Sequence, residues 1–158
     1  MKVNRRDFIK TSGAAIACTC LGSLCMHSCS PFSSFSNTAV APGESYRIEA
    51  GQILLNLEQT PALTAPGGSV KLEFDHPDSG TRTKILILHP EDTSYLALAN
   101  VCTHKGKELE YVHPDKQIEC VSGHSKFDLN GRVLKGNAES PLTTYKTKLE
   151  GNLLYVII

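Results

Sequence analysis

Cys102-Thr103-His104-Lys105-Gly106 and Cys120-Val121-Ser122-Gly123-His124-Ser125-Lys126-Phe127-Asp128 are the stretches whose reading decides the fold. Each pairs a cysteine with a histidine, fifteen residues separate His104 from Cys120, and each pair stands where a strand-like run gives way to turn residues. Loops at strand ends carry function because a rigid scaffold positions them. In an all-β body such loops can converge at one end, setting two thiolates and two imidazoles around a shared site. That donor set suits tetrahedral zinc as well as an iron-sulfur cluster, so ligand count alone leaves both open.

The flanking sequence supplies the all-β body. Runs with strand character cover Tyr46 to Glu49, Ile53 to Leu57, Val70 to Phe74, Lys84 to Leu88, Tyr95 to Val101, Gln117 to Val121, Leu142 to Lys148 and Leu153 to Ile158. Pro66-Gly67-Gly68, Pro77-Asp78-Ser79-Gly80, Pro90-Glu91-Asp92, Pro114-Asp115 and Asn130-Gly131 punctuate them. No stretch of the body keeps a 3.6-residue apolar period for three turns, and short strands at such spacing predict an antiparallel β sandwich or barrel.

Charge and cysteine usage divide the chain. Residues 1–30 hold four Lys/Arg against one acid, whereas residues 31–158 hold twelve basic and fifteen acidic side chains, net −3. A mildly acidic body gives no footprint for nucleic acid, which needs a basic surplus on one face. Four of the six cysteines, Cys18, Cys20, Cys25 and Cys29, fall in the N-terminal segment. That leaves Cys102 and Cys120 in the body, each with a histidine close by, which reads as a metal site rather than a disulfide framework.

Asn4-Arg5-Arg6-Asp7-Phe8-Ile9-Lys10, followed by the uncharged, mostly small and apolar stretch Thr11 to Leu24, resembles a twin-arginine export signal. Fourteen residues fall short of the roughly 20 that span a bilayer as a helix, so the stretch reads as a signal core. Cys29, just past it, is a candidate for lipid attachment. The expected organisation is therefore a signal or anchor segment over 1–30, a Ser/Pro/Ala-rich linker over 31–45, and one β domain over 46–158. The twin-arginine route carries folded proteins, often with a cofactor already inserted, so the signal itself raises the expectation of one.

From Asn100 to Tyr145 the sequence resembles the Rieske iron-sulfur family: the two Cys/His loops, Ser125-Lys126-Phe127-Asp128 with its Asn130-Gly131 turn, and Gly136-Asn137-Ala138-Glu139-Ser140-Pro141-Leu142 as the third, shielding loop. The resemblance implies a Rieske-type β sandwich or barrel with cluster-binding loops at one end. It implies a 2Fe-2S cluster with one iron on Cys102 and Cys120 and the outer iron on His104 and His124. Two ferric ions, two sulfides and two thiolates sum to about zero, where four thiolates would give −2, so an electron is more easily added.

Three departures from the family pattern bear on the site. Three residues rather than two separate Cys120 from His124, with Gly123 before the histidine instead of after it. Glycine there permits positive φ and lets the loop fold the extra residue back. Lys107 and Ser122 stand where high-potential members carry a bridging cysteine pair, and Phe127 stands where they carry a tyrosine hydroxyl. Fewer hydrogen bonds to cluster sulfur imply a lower potential.

The function so implied is an exported one-electron carrier on the periplasmic side of the cytoplasmic membrane, anchored or lipidated. Its partner would be a redox protein or a membrane or periplasmic oxidoreductase complex, such as a quinol-oxidising or arsenite-oxidase-like chain. The chain leaves no room for the mononuclear-iron domain of family oxygenases, so a self-contained enzyme is not expected. The reading from another class is a cluster-free or zinc-binding module of the same fold, which would be colourless.

Overall fold

The computed structural model describes residues 36–158, so Arg5-Arg6, the apolar stretch from Thr11 to Leu24 and Cys29 lie outside the described residues. Among the described residues there is no α-helix, and none of the helical turns is long and apolar enough to cross a membrane.

Twelve strands follow in order: β1 (Ala39–Val40), β2 (Tyr46–Glu49), β3 (Gln52–Asn56), β4 (Gly68–Asp75), β5 (Arg82–Glu91), β6 (Ser94–Ala99), β7 (Leu109–Val112), β8 (Gln117–Cys120), β9 (Ser125–Phe127), β10 (Val133–Gly136), β11 (Thr144–Glu150) and β12 (Leu153–Ile157). Eight form one sheet in the order β1-β4-β5-β6-β11-β12-β3-β2, and the other four form a small sheet in the order β10-β9-β8-β7. All pairings are antiparallel except the short parallel one between β1 and β4. The all-β expectation holds.

The large sheet curls on itself. Ile53 and Leu55 of β3 and Leu154 and Val156 of β12 share one core with Val70, Leu72 and Phe74 of β4 and Ile85 and Ile87 of β5. Strand β11 makes the corner: Thr144 and Tyr145 pair with β6, and Lys146 to Glu150 pair with β12. A second core holds Leu86, Leu88 and Leu98 from the large sheet against Leu109, Ile118, Phe127, Leu142, Cys102 and Cys120.

Strand β5 is the wall between the two cores. Ile85, Leu86, Ile87 and Leu88 are all fully buried, odd positions in the first core and even positions in the second, because successive side chains in a strand point to opposite faces. Each such burial is worth roughly 1.5–3 kcal/mol. The strand register slips between Leu88 and Glu91, which accommodates Pro90 without a missing ladder bond in a regular stretch.

Three strands of the small sheet, β7, β9 and β10, were not visible as apolar runs. They have three or four residues each, and β10 is exposed at every position, so no alternation marks it. Tyr95 to Val101 ends early, at Ala99, because the Asn100 side-chain oxygen accepts the Leu109 N–H at 2.8 Å and turns the chain into the first loop. Part of the stretch read as linker is bound into the body: Ala39–Val40 pairs with β4, and the N–H groups of Ser36 and Asn37 donate to the carboxylates of Glu108 and Glu110. His89, beside Pro90, lies in β5 at 3% exposure, its Nδ1 2.8 Å from the Leu63 carbonyl and its ring stacked on Tyr95.

Candidate metal centre

Strand β6 and the small sheet position the two Cys/His loops. Cys102 N–H donates to the Lys107 carbonyl and Gly106 N–H to the Cys102 carbonyl, both at 2.8 Å, closing the first loop around Thr103 to Lys105. Gly106 has φ +67°, the left-handed conformation that glycine adopts without steric cost. In the second loop Gly123 N–H donates to the Cys120 carbonyl at 2.6 Å, with φ +70° at Gly123. The glycine ahead of His124 therefore makes the turn that the extra residue requires.

The loops are joined to one another. Val121 N–H donates to the Glu108 carbonyl at 3.1 Å, tying the second loop to the exit of the first. The Thr103 hydroxyl donates to the Ser140 carbonyl at 2.7 Å, and Asn137 N–H donates to the His124 carbonyl at 3.3 Å, so the proline-containing third loop is tied to both others. Gly136, at φ +99°, starts that third loop against the backbone of His124.

Cys102 and Cys120 are free thiols, 1% and 3% exposed, and both are packed in the second core. Burial pushes the Cys102 thiol pKa up. The N–H of His104 bonded to the sulfur pulls it down, Cys120 pushes it up again, and the N–H of Lys105 pulls it down. A metal bound by Cys102 would have to displace a proton that burial helps to hold. Cys120 has a side-chain partner: the Ser122 hydroxyl oxygen stands 2.9 Å from its sulfur, and either atom can donate.

His104 is half-buried, and its Nδ1 is buried without a hydrogen-bond partner. His124 is exposed at the surface of the second loop. The Ser125 hydroxyl is likewise buried and unpartnered. Buried polar atoms left without a partner cost free energy, so two of them beside the same loops fit a group that would accept one and be ligated by the other. Among the described residues no three His, Cys, Asp or Glu side chains are gathered as a single ion would gather them. A binuclear cluster takes its donors two by two on separate irons, whereas tetrahedral zinc takes all four at one point.

Two residues outside the sequence pattern prove structurally central. Glu108 accepts from Lys71 Nζ at 2.8 Å and from Ser36 N–H at 3.0 Å, with Lys84 Nζ at 3.7 Å. Burial would raise its carboxyl, but those hydrogen bonds and the two lysine charges outweigh it and hold the pKa below the ordinary carboxylate value. Lys71 lies on the β4 face opposite Val70 and Leu72, so the same alternation that builds the first core aims the lysine at the small sheet. Nothing in the local sequence of Glu108 announces this role. Ser122 was legible only as a missing cysteine, not as a hydrogen-bond donor.

Comparison with known proteins bears on the fold and the cofactor. Residues 70–146 match the Rieske 2Fe-2S domain, and residues 2–22 match the signal sequence of the twin-arginine translocation pathway. Two relatives are cytochrome b6-f complex iron-sulfur subunits. That of Chlorobaculum thiosulfatiphilum is 33% identical over 38% of this chain, and that of Chlorobaculum tepidum is 26% identical over 68%. The matched parts span 33% and 56% of those proteins' own lengths. Among solved structures, the ferredoxin of carbazole 1,9a-dioxygenase from Nocardioides aromaticivorans superposes with a TM-score of 0.50 at 21% identity, covering 65% of this chain and 92% of that one.

Proposed function

Because the chain carries a Rieske 2Fe-2S domain with its cluster behind a twin-arginine signal, and so is an exported electron carrier, we propose that Cys102 and Cys120 hold the inner iron and His104 and His124 the outer one, in the service of a membrane-bound oxidoreductase that oxidises a quinol. The observation that carries the ligand assignment is the burial of the two free cysteines in one core, together with the orphaned Nδ1 of His104. The cytochrome b6-f names of the relatives support the choice of partner.

When bound, the cluster supplies a one-electron couple. The residues of the chain do the rest. Cys102 and Cys120 lie in the second core with Leu109, Ile118 and Phe127, which keeps water from the thiolate side. His104 and His124 are more exposed than the cysteines, so the histidine side is where an electron meets a partner. The Thr103–Ser140 and His124–Asn137 hydrogen bonds hold the loops in one arrangement, which limits reorganisation when charge changes. On this reading the domain sits at the outer face of the cytoplasmic membrane, tethered by its N-terminal segment or by lipid on Cys29.

The deciding experiment is electron paramagnetic resonance of the dithionite-reduced protein. A rhombic Rieske signal from a brown protein with two irons per chain is the expected result. A colourless protein, or one holding only zinc, would overturn the proposal. The partner is tested separately, by reduction of the cluster when quinol is added to membranes containing the protein.

A further inference from the structure

The hydrogen bond between Ser122 and Cys120 has no counterpart in the sequence pattern that identified the site, since Ser122 stands where high-potential relatives carry a cysteine. The Ser122 oxygen lies 2.9 Å from Cys120 Sγ. The turn that puts it there is closed by Gly123 N–H on the Cys120 carbonyl, at 2.6 Å and φ +70°. A hydroxyl two residues after the turn's start is thereby folded back over the sulfur.

In the metal-free chain either atom can give the proton. A cysteine that has bound iron has none left, and the serine hydroxyl becomes the donor. Cys102 is influenced by the backbone N–H groups of His104 and Lys105, which no side-chain substitution removes. Cys120 receives a hydrogen bond from a side chain, and that one can be deleted or kept at will.

We propose that Ser122 sets the reduction potential of the centre by donating its hydroxyl hydrogen bond to the Cys120 thiolate. The inference rests on the ligand assignment above. On reduction the cluster gains one electron from its donor protein and no covalent bond changes. The added negative charge is shared with the thiolates, and a hydrogen bond to a more negative acceptor is stronger. The bond therefore stabilises the reduced state more than the oxidised one, and its loss lowers the potential. Ser122 keeps its proton throughout and touches no substrate, so it is a positioning residue for charge. With no bridging cysteines at positions 107 and 122 and no hydroxyl on Phe127, this donor restores part of what the loop lacks.

The test uses the full-length protein and three variants: Ser122→Ala, Ser122→Val and Ser122→Thr. Threonine and valine have nearly the same shape, but only threonine has a hydroxyl. Iron content and the reduced-state paramagnetic signal are measured first, then the potential by titration. The expected result is full loading in every protein, a reduction equilibrium about tenfold weaker in Ser122→Ala and Ser122→Val, equal to about 59 mV for one electron, and a wild-type potential in Ser122→Thr. Loaded alanine and valine variants at the wild-type potential would overturn the inference. So would a threonine variant that falls with valine, or loss of the cluster from all three, since either makes position 122 steric or structural. An unmodified protein without a Rieske signal would instead sink the ligand assignment, which keeps the two failures apart.

Discussion

Gly136 lies so close to His124 that a Cβ built on the glycine would overlap the histidine's carbonyl oxygen and crowd the Cα of Ser125. The close approach is what lets the third loop seal against the second at the residue where the cysteine-histidine spacing departs from the family pattern. Gly136→Ala forces both a left-handed conformation, at φ +99°, and a displaced His124 backbone. The expected cost is about 2–4 kcal/mol, read as a lowered denaturation midpoint, with loss of cluster loading. Gly43→Ala, where a Cβ meets nothing within 4 Å, should leave both unchanged.

His124→Ala should abolish the rhombic signal, while His113→Ala should leave it. The structure gives His113 other employment: its Nδ1 is 2.9 Å from the Tyr111 hydroxyl, and its ring packs where a Cβ on Gly67 would be. Exchanging Gly123 and His124 should lose or weaken the cluster, because the loop is shaped by positive φ at residue 123. Recovery of a normal signal in that exchange would show that the backbone tolerates either register.

The Glu108 cluster predicts an acid-sensitive link between the two sheets. Its carboxyl is held below its unfolded value of about 4.3, so the stability it contributes is complete above that value and is lost as pH falls through the lower folded one. The Glu108 and Lys71 side chains are 12% and 17% exposed, between surface and fully buried pairs. Glu108→Gln should therefore cost about 2 kcal/mol at pH 7. The deficit should shrink at pH 3, as urea denaturation at the two pH values will show.

Phe127 is fully buried in the same core as Cys102 and Cys120. Without its hydroxyl the potential is expected in the lower part of the roughly −150 to +300 mV Rieske range, and Phe127→Tyr should raise it. A wild-type value near the top of that range would contradict the argument, Ser122 notwithstanding. Phe127→Ala should instead cost about 3–5 kcal/mol and expose the cysteine pair.

Replacing Arg5 and Arg6 with lysine should hold the protein in the cytoplasm, detected by fractionation. Cys29→Ser should release the exported protein from the membrane if lipid is its tether.

The sequence by itself determined what is local. Ligand residue types and their spacing sit within a few positions of one another, the turn residues punctuate the strands, and Lys84 to Leu88 reads as a strand. These are enough for an all-β body with two Cys/His loops. The tertiary structure alone decided which loops meet. Strands β7 and β9 exist because the large sheet presents Leu86, Leu88 and Leu98 to Leu109 and Phe127, and the exposed β10 because it pairs with β9, not because three or four residues of mixed polarity prefer to be extended. The partnership of Lys71 with Glu108 spans 37 positions and depends on the curl of one sheet over another. Ser122 meets the Cys120 sulfur through a backbone turn rather than through its identity. Side-chain alternation is set by chain geometry and can be read in one dimension, whereas contacts between distant strands are set by packing and cannot.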